Sequence, residues 1–234
     1  MIRFATNHLD AIIPSAMQPI EHNGRDTMKD NGKDRFLLVA SDIHDAESAF
    51  EKLAQKANDP RCIAFLYAGD LNVENYFINH ALKYRSFTFI PVLGNCDNPW
   101  VWIDAGVPQP PQFRTLSYTN RTGDLRIYMS HGHLYPYPSS VGLGDEDFEV
   151  CITGHTHVNS LKADTLETSR HSKKQLVLLN PGSPSCPRGG SHQSYAMITI
   201  PNEGSAVVQI RDFVRDDLLS EMAVPLHKVK ERNN

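Results

Sequence analysis

The sequence predicts an α/β protein built as a single domain, and three observations carry that reading. The first is size: 234 residues, 40% hydrophobic and 21% charged, suffice for one sizeable core. The second is the opening third, where continuous apolar runs alternate with amphipathic stretches, the pattern of a parallel sheet with crossover helices. The third is the remainder, where helical periodicity fades into short strand-like runs. That change predicts a second, mainly antiparallel sheet packed on the first.

Residues 35–40 form a buried strand by their unbroken apolar character. Asp45 stands where it can cap a helix whose stripe is Ala46, Ala49, Phe50, Leu53 and Ala57, and Asn58-Asp59-Pro60 ends it. Residues 62–68 are the second strand, 73–84 a helix with Phe77, Ile78, Ala81 and Leu82 on one side, and 87–93 the third strand. Residues 99–111, rich in Pro and Gly, read as a surface loop, as do 135–144. Residues 125–129, 150–153, 175–179, 195–200 and 206–210 are strand-like.

These elements set the boundaries. Residues 1–34 are polar and aperiodic, and are expected to be a disordered extension with Met28 as an alternative initiator. The folded domain is expected over residues 35–212. The tail, 213–234, carries Phe213, Leu218, Leu219 and Met222, which predict a short docking helix.

Composition excludes several classes. Lys plus Arg (23) nearly balances Asp plus Glu (27), so no broad nucleic-acid surface is expected. No apolar run approaches the roughly 20 residues of a membrane span, and Asn7, His8 and Asp10 break up any signal-peptide core. Cys62, Cys96, Cys151 and Cys186 show no CxxC spacing, and two of them lie in strands as buried thiols. Free thiols fit a reducing cytoplasm.

Five short clusters carry the chemistry: Ser41-Asp42-Ile43-His44, Gly69-Asp70, Gly94-Asn95-Cys96-Asp97, Ser130-His131-Gly132-His133 and Gly154-His155-Thr156-His157. Each follows a strand-like run, and the carboxyl ends of strands in an α/β sheet are the usual place for a site. Asp42 and His44, and likewise His155 and His157, are two residues apart, so an extended backbone projects each pair to one side. Asp70 alone at a strand end can bridge two cations, and Asn95 adds a neutral amide oxygen. Carboxylates mixed with imidazoles suit Mn²⁺, Fe or Zn²⁺ better than Ca²⁺. Alone, Gly-Asp and Gly-Asn pairs are ordinary turn signals and an Asp-x-His is common by chance; it is the joint occurrence of the clusters that points to a two-metal hydrolase. His8, His22, His171, His192 and His227 fall in polar segments and read as solvated, and His80 as a structural residue on a helix face.

SDIHD, GD, GNCD, SHGH and GHTH resemble the successive motifs of the calcineurin-like metallophosphoesterase superfamily. The later Asn180–Gly190 stretch, NPGSPSCPRGG, is similar to the YfcE-type branch of small phosphodiesterases. The likeness covers roughly residues 36–212. It implies a two-sheet β-sandwich flanked by helices, with a centre of two divalent ions, Mn²⁺ favoured and Zn²⁺, Fe or Ni²⁺ as alternatives. By motif, one ion takes Asp42, His44, His157 and the bridging Asp70; the other takes Asp70, Asn95, His131 and His155. His131 is preferred to His133 because the family's ligand is the first histidine of that motif. A hydroxide bridging the ions would be the nucleophile.

Many superfamily members carry histidine after Gly-Asn as a proton donor; here Cys96 stands instead, and a thiol is a poor acid near neutral pH. Cys96 and His133 are therefore the candidate acids, with the alternative that His133 supports a ligand from behind. The expectation is a phosphodiesterase acting on a small, nucleotide-like phosphate ester, cytoplasmic, without membrane contact and self-associating. The alternatives are a phosphomonoesterase, or a metal-binding interaction scaffold with little turnover.

Overall fold

The computed structural model describes residues 34–72, 87–106, 108–167 and 173–228. The expected helix at 73–84 and the N-terminal extension, apart from Asp34, lie outside the described residues.

The first sheet is built on β1 (Arg35–Ala40), β2 (Cys62–Tyr67) and β3 (Phe89–Pro91), all parallel. On the other side of β1 lies β9 (Ser194–Ile200), antiparallel, followed by β10 (Ala206–Asp212) and β11 (Leu218–Val224). The second sheet runs in the order β4 (Phe113–Thr119), β5 (Asp124–Ser130), β6 (Val150–Ile152), β8 (Lys173–Asn180) and β7 (Ser160–Glu167). Its outer pairs are antiparallel, but β5, β6 and β8 run parallel.

Strand alternation explains why the central strands are apolar throughout. In β1, Leu37 and Val39 face the second sheet, while Phe36, Leu38 and Ala40 face the helical layer. Across the sandwich, Leu125, Ile127 and Met129 of β5 and Val177 and Leu179 of β8 meet them in one core. A strand buried on both faces has no polar face to show. On the outer side, α1 (Glu47–Ala57) seats Ala49, Phe50, Leu53 and Ala57, and Phe50 packs edge-on to Phe89 at 5.6 Å.

The architecture departs from the sequence reading in four places. Strands of the helix-poor second half do not all join the second sheet: β9 to β11 extend the first, because β9 pairs with β1 over five residue pairs. Residues 99–104 form a helix, α2 (Pro99–Asp104), instead of opening a loop. Asn98 accepts the Trp100 N–H at 3.1 Å, Pro99 fits the first turn, and Trp102 is buried. Ala46, not Asp45, precedes α1; Asp45 is left-handed and its N–H is held by the Leu71 carbonyl.

The fourth departure is the tail, which is a strand and not a docking helix. Val224 is buried and Leu219 and Met222 lie on the core, an arrangement that comes from pairing with β10. His227 then exchanges both backbone bonds with Asp124 of β5, so residues 213–228 belong to the sandwich and the boundary at 212 does not hold.

Candidate metal centre

Five strands from both sheets end at one place. Asp42 and His44 follow β1, Asp70 follows β2, Asn95 follows β3, His131 follows β5, and His155 and His157 follow β6. The backbone there is not extended. Asp42 (φ 58°), His44 (46°), Asp70 (58°), His155 (68°) and His157 (59°) are all left-handed. Strand alternation therefore does not pair Asp42 with His44 or His155 with His157; the chain has already left the strand and is turning. A non-glycine residue held this way costs on the order of 1–3 kcal/mol and persists only where its surroundings over-determine it.

Those surroundings are specific. The buried Tyr67 hydroxyl accepts the Ile43 N–H at 3.0 Å and donates to the Asp70 carbonyl at 3.2 Å, joining the first two loops from below. Ser183 donates its hydroxyl to the Asp42 carbonyl at 2.7 Å, and Ser185 donates to the Ile43 carbonyl at 2.7 Å. Asn180 donates to the Gly154 carbonyl at 2.7 Å. The motif glycines make room: a Cβ on Gly154 would run into the Ser41 hydroxyl and the Asp42 carboxylate, and one on Gly94 into the Asp70 carboxylate.

Two clusters of lone pairs result. His157 donates Nδ1–H to the Cys186 carbonyl at 2.7 Å, so in the neutral imidazole Nε2 is the acceptor. That Nε2 lies 3.0 Å from Nε2 of His44 and 3.4 Å from Oδ1 of Asp42. Among the described residues, buried Asp42 Oδ1 accepts no hydrogen bond. His131 is held the same way, Nδ1–H on the Ala68 carbonyl at 2.8 Å, and its Nε2 faces Asp70 Oδ2 at 3.2 Å and Asn95 Oδ1 at 3.1 Å. Acceptors converging without donors need a cation or a proton between them. This donor set fits divalent metal.

The electrostatics point the same way. Burial pushes the Asp42 carboxyl up, and the charge of Asp70 adds to it. Burial opposes ionisation of Asp70 too, but with a proton on His131 Nε2 in place of a cation, the hydrogen bond and charge of that imidazolium and the Cys96 N–H outweigh it and hold the group at about 2. Potential ligand atoms of Asp42, His44 and His157 lie within 4.8 Å of one another, as do those of Asp42, Asp70 and His131, and of His44, Asp70 and Cys96.

His155 stands apart from these groups. It is exposed, its ring is 5.2 Å from that of His131, and its N–H is held by Asp42 Oδ2 at 3.0 Å. His133 lies 5.3 Å from His131 ring to ring, with Nδ1 buried and unpartnered among the described residues. Cys96 is exposed; residual burial and the charge of Asp70 push its thiol above the ordinary 9.0, so it stays protonated at neutral pH.

Asp97, inside the Gly94–Asp97 motif, has a task that the motif alone does not disclose. Its carboxylate accepts the N–H groups of Gly94 at 2.7 Å, Asn72 at 2.8 Å and Asp70 at 2.9 Å, while Asp70 Oδ1 accepts the Cys96 N–H at 2.8 Å. One carboxylate thus locks the turns after β2 and β3 to each other. The available signal was a second acid two residues beyond the ligand Asn95, in a turn whose N–H groups need an acceptor.

Residues 36–203 match the model of the calcineurin-like phosphoesterase superfamily domain. The chain is 25% identical over 199 residues to the phosphodiesterase YfcE of Escherichia coli K12, covering 80% of this chain and 97% of that one. It is 25% identical over 179 residues to a probable metallophosphoesterase, YsnB, of Bacillus subtilis, covering 73% and 88%. The solved structure of the E. coli YfcE phosphoesterase superposes with a TM-score of 0.61 at 22% identity, covering 81% of this chain and 99% of that one.

Proposed function

Because this chain belongs to the calcineurin-like phosphoesterase superfamily, we propose that it hydrolyses phosphate diesters with the help of two divalent cations. The observation that carries this is the pair of acceptor-rich clusters, Asp42–His44–His157 and Asp70–Asn95–His131, set side by side. Asp42, His44, His157 and Asp70 would hold one ion, and Asp70, Asn95, His131 and His155 the other, with Mn²⁺ the favoured metal. Bound there, such ions acidify water and offset charge on phosphoryl oxygens.

The chain's own residues have separate tasks. Asp42 and Asp70 supply the negative charge that retains the cations, and the backbone carbonyls of Ala68 and Cys186 fix the tautomers of His131 and His157. His133, beside His131 and His155, is within reach of a departing oxygen, but burial first, then those two imidazoles, push it below its ordinary 6.5, so near neutral pH it carries no proton to give and its better role is to support a ligand from behind. Cys96, with its raised pKa, is a weak donor, which favours esters whose leaving group needs no protonation. The reading is completed by a small diester substrate, self-association, and a reducing cytoplasm suited to four free thiols. No helix among the described residues is long and apolar enough to cross a membrane.

The test is hydrolysis of bis-p-nitrophenyl phosphate and p-nitrophenyl phosphate by metal-stripped protein, with and without Mn²⁺. Turnover only with Mn²⁺ and favouring the diester is expected. Preference for the monoester would overturn the substrate class and keep the metals. Bound Mn²⁺ without turnover of either would move the weight to a scaffold role.

A further inference from the structure

Behind His155 the second sheet carries a cavity of about 160 Å³. Its floor is Cys151, Thr153 and Leu178, from β6, the residue that follows β6, and β8. Its outer wall is Pro136 and Tyr137, and His155 stands at the rim together with Thr156. The wall is not a loose loop. Tyr128 and Ser130 both donate hydroxyls to the Tyr135 carbonyl, at 3.0 and 2.6 Å, and the Cys151 thiol donates to the Pro136 carbonyl at 3.4 Å. The cavity is therefore preformed, and one of its residues is a candidate metal ligand.

We propose that this cavity receives an uncharged aromatic substituent of the phosphate ester, and so sets which diesters the enzyme accepts. The inference rests on the phosphodiesterase reading above. Size is the first argument: a closed apolar cavity of roughly 150 Å³ holds benzene, so this half-open one has room for a single ring. Charge is the second. Among the described residues no Lys, Arg, Asp or Glu lines it, so they offer nothing to neutralise a second phosphate and no carboxylate to pair with an amine. Chemistry is the third. The Leu178 side chain, a proline and a tyrosine face suit a flat π-system, while the Thr153 and Thr156 hydroxyls leave polar handles for ring substituents.

The experiment uses the full chain loaded with Mn²⁺ and two probes, phenol and inorganic phosphate. Phenol binding is followed by ligand-observed NMR, and phosphate as an inhibitor of bis-p-nitrophenyl phosphate hydrolysis. Leu178→Phe fills the floor; Tyr137→Ala, on the half-exposed wall, removes one face with little risk to folding. Both are expected to weaken phenol binding and raise KM for the diester by about tenfold or more, the scale of changes in apolar pockets, while phosphate inhibition holds. Phenol affinity and KM unmoved in both variants, with phosphate inhibition intact, would overturn the pocket alone. Wild-type protein that phosphate does not inhibit would overturn the phosphoester reading and the pocket with it.

Discussion

The two halves of the centre are held by different means. The Asp42–His44–His157 half is buried around Asp42 and braced by neutral groups reaching over from the loop after β8: the Ser183 and Ser185 hydroxyls and the Cys186 carbonyl. The Asp70–Asn95–His131 half has Asn95 and Cys96 exposed at its edge; the Tyr67 hydroxyl and the Ala68 carbonyl support it too, but its two turns are tied to each other by one charged residue, Asp97. Many weak neutral supports tolerate the loss of one; a single carboxylate serving three N–H groups does not. The first half should degrade gradually and the second abruptly.

The largest effect is expected from Asp42→Asn, which removes charge from the buried half itself. Mn²⁺-dependent turnover should vanish, and bound Mn²⁺ measured by elemental analysis should fall. Full metal content with normal turnover would remove Asp42 from the centre. Next comes Asp97→Asn, which turns an acceptor of three N–H bonds into a group with its own donors. Activity should drop about 10–100-fold, as for outer supports of metal ligands, with weakened binding of one Mn²⁺ and the other retained. Ser183→Ala removes only neutral bonds, to the Asp42 carbonyl and from the Cys186 and Ser185 N–H groups, each on the order of 1 kcal/mol, and should cost less, about tenfold. If Ser183→Ala matched Asp97→Asn, the contrast between the halves would be broken.

Away from the centre, Glu149 accepts from Arg126 and Lys174 while almost fully buried. Burial opposes its ionisation, but the two cations win and hold its pKa below the ordinary 4.5. Its stabilisation is therefore present above 4.5 and lost as pH falls through the lower folded value. Glu149→Gln should lower thermal stability by about 3 kcal/mol near neutral pH and leave turnover intact; melting curves of the two proteins should converge on acidification. A gap that persists or widens in acid would show the pair contributes nothing. Smallest of all is Cys96→Ala. Hydrolysis of aryl esters should be nearly unchanged, whereas a fall of about 10²-fold, the size of a lost general acid, would reinstate the thiol as proton donor.

The parallel strands and the ligand types were legible because they rest on local pattern: apolar runs closing on Asp, Asn and His. The means of convergence was not. Left-handed φ at Asp42, His44, Asp70, His155 and His157 is imposed by partners far off in sequence, such as Ser183 on the Asp42 carbonyl. Asp97 was in view, but its three partners lie on two turns that only the fold brings together. The edge strand β11 hid for a related reason: Leu218, Leu219 and Met222 fit a helix stripe in isolation, and only β10 selects the extended form. α2 hides in residues 99–111 because Pro and Gly there read as a loop, whereas Asn98 is a cap and Pro99 a first helical residue.

The link from Ser183 to Asp42 spans 141 residues of sequence, and β1 lies between β2 and β9. During synthesis from the N-terminus, His157 is the last of the candidate ligands to be made. A nascent chain ending there would carry every one of them, yet lack the Cys186 carbonyl that orients His157 and the strand that flanks β1. On the two-cation reading proposed above, metal capture is thus coupled to completion of the sheet. Contacts of such long range form late, so a truncated chain should remain metal-poor although it contains the whole ligand set.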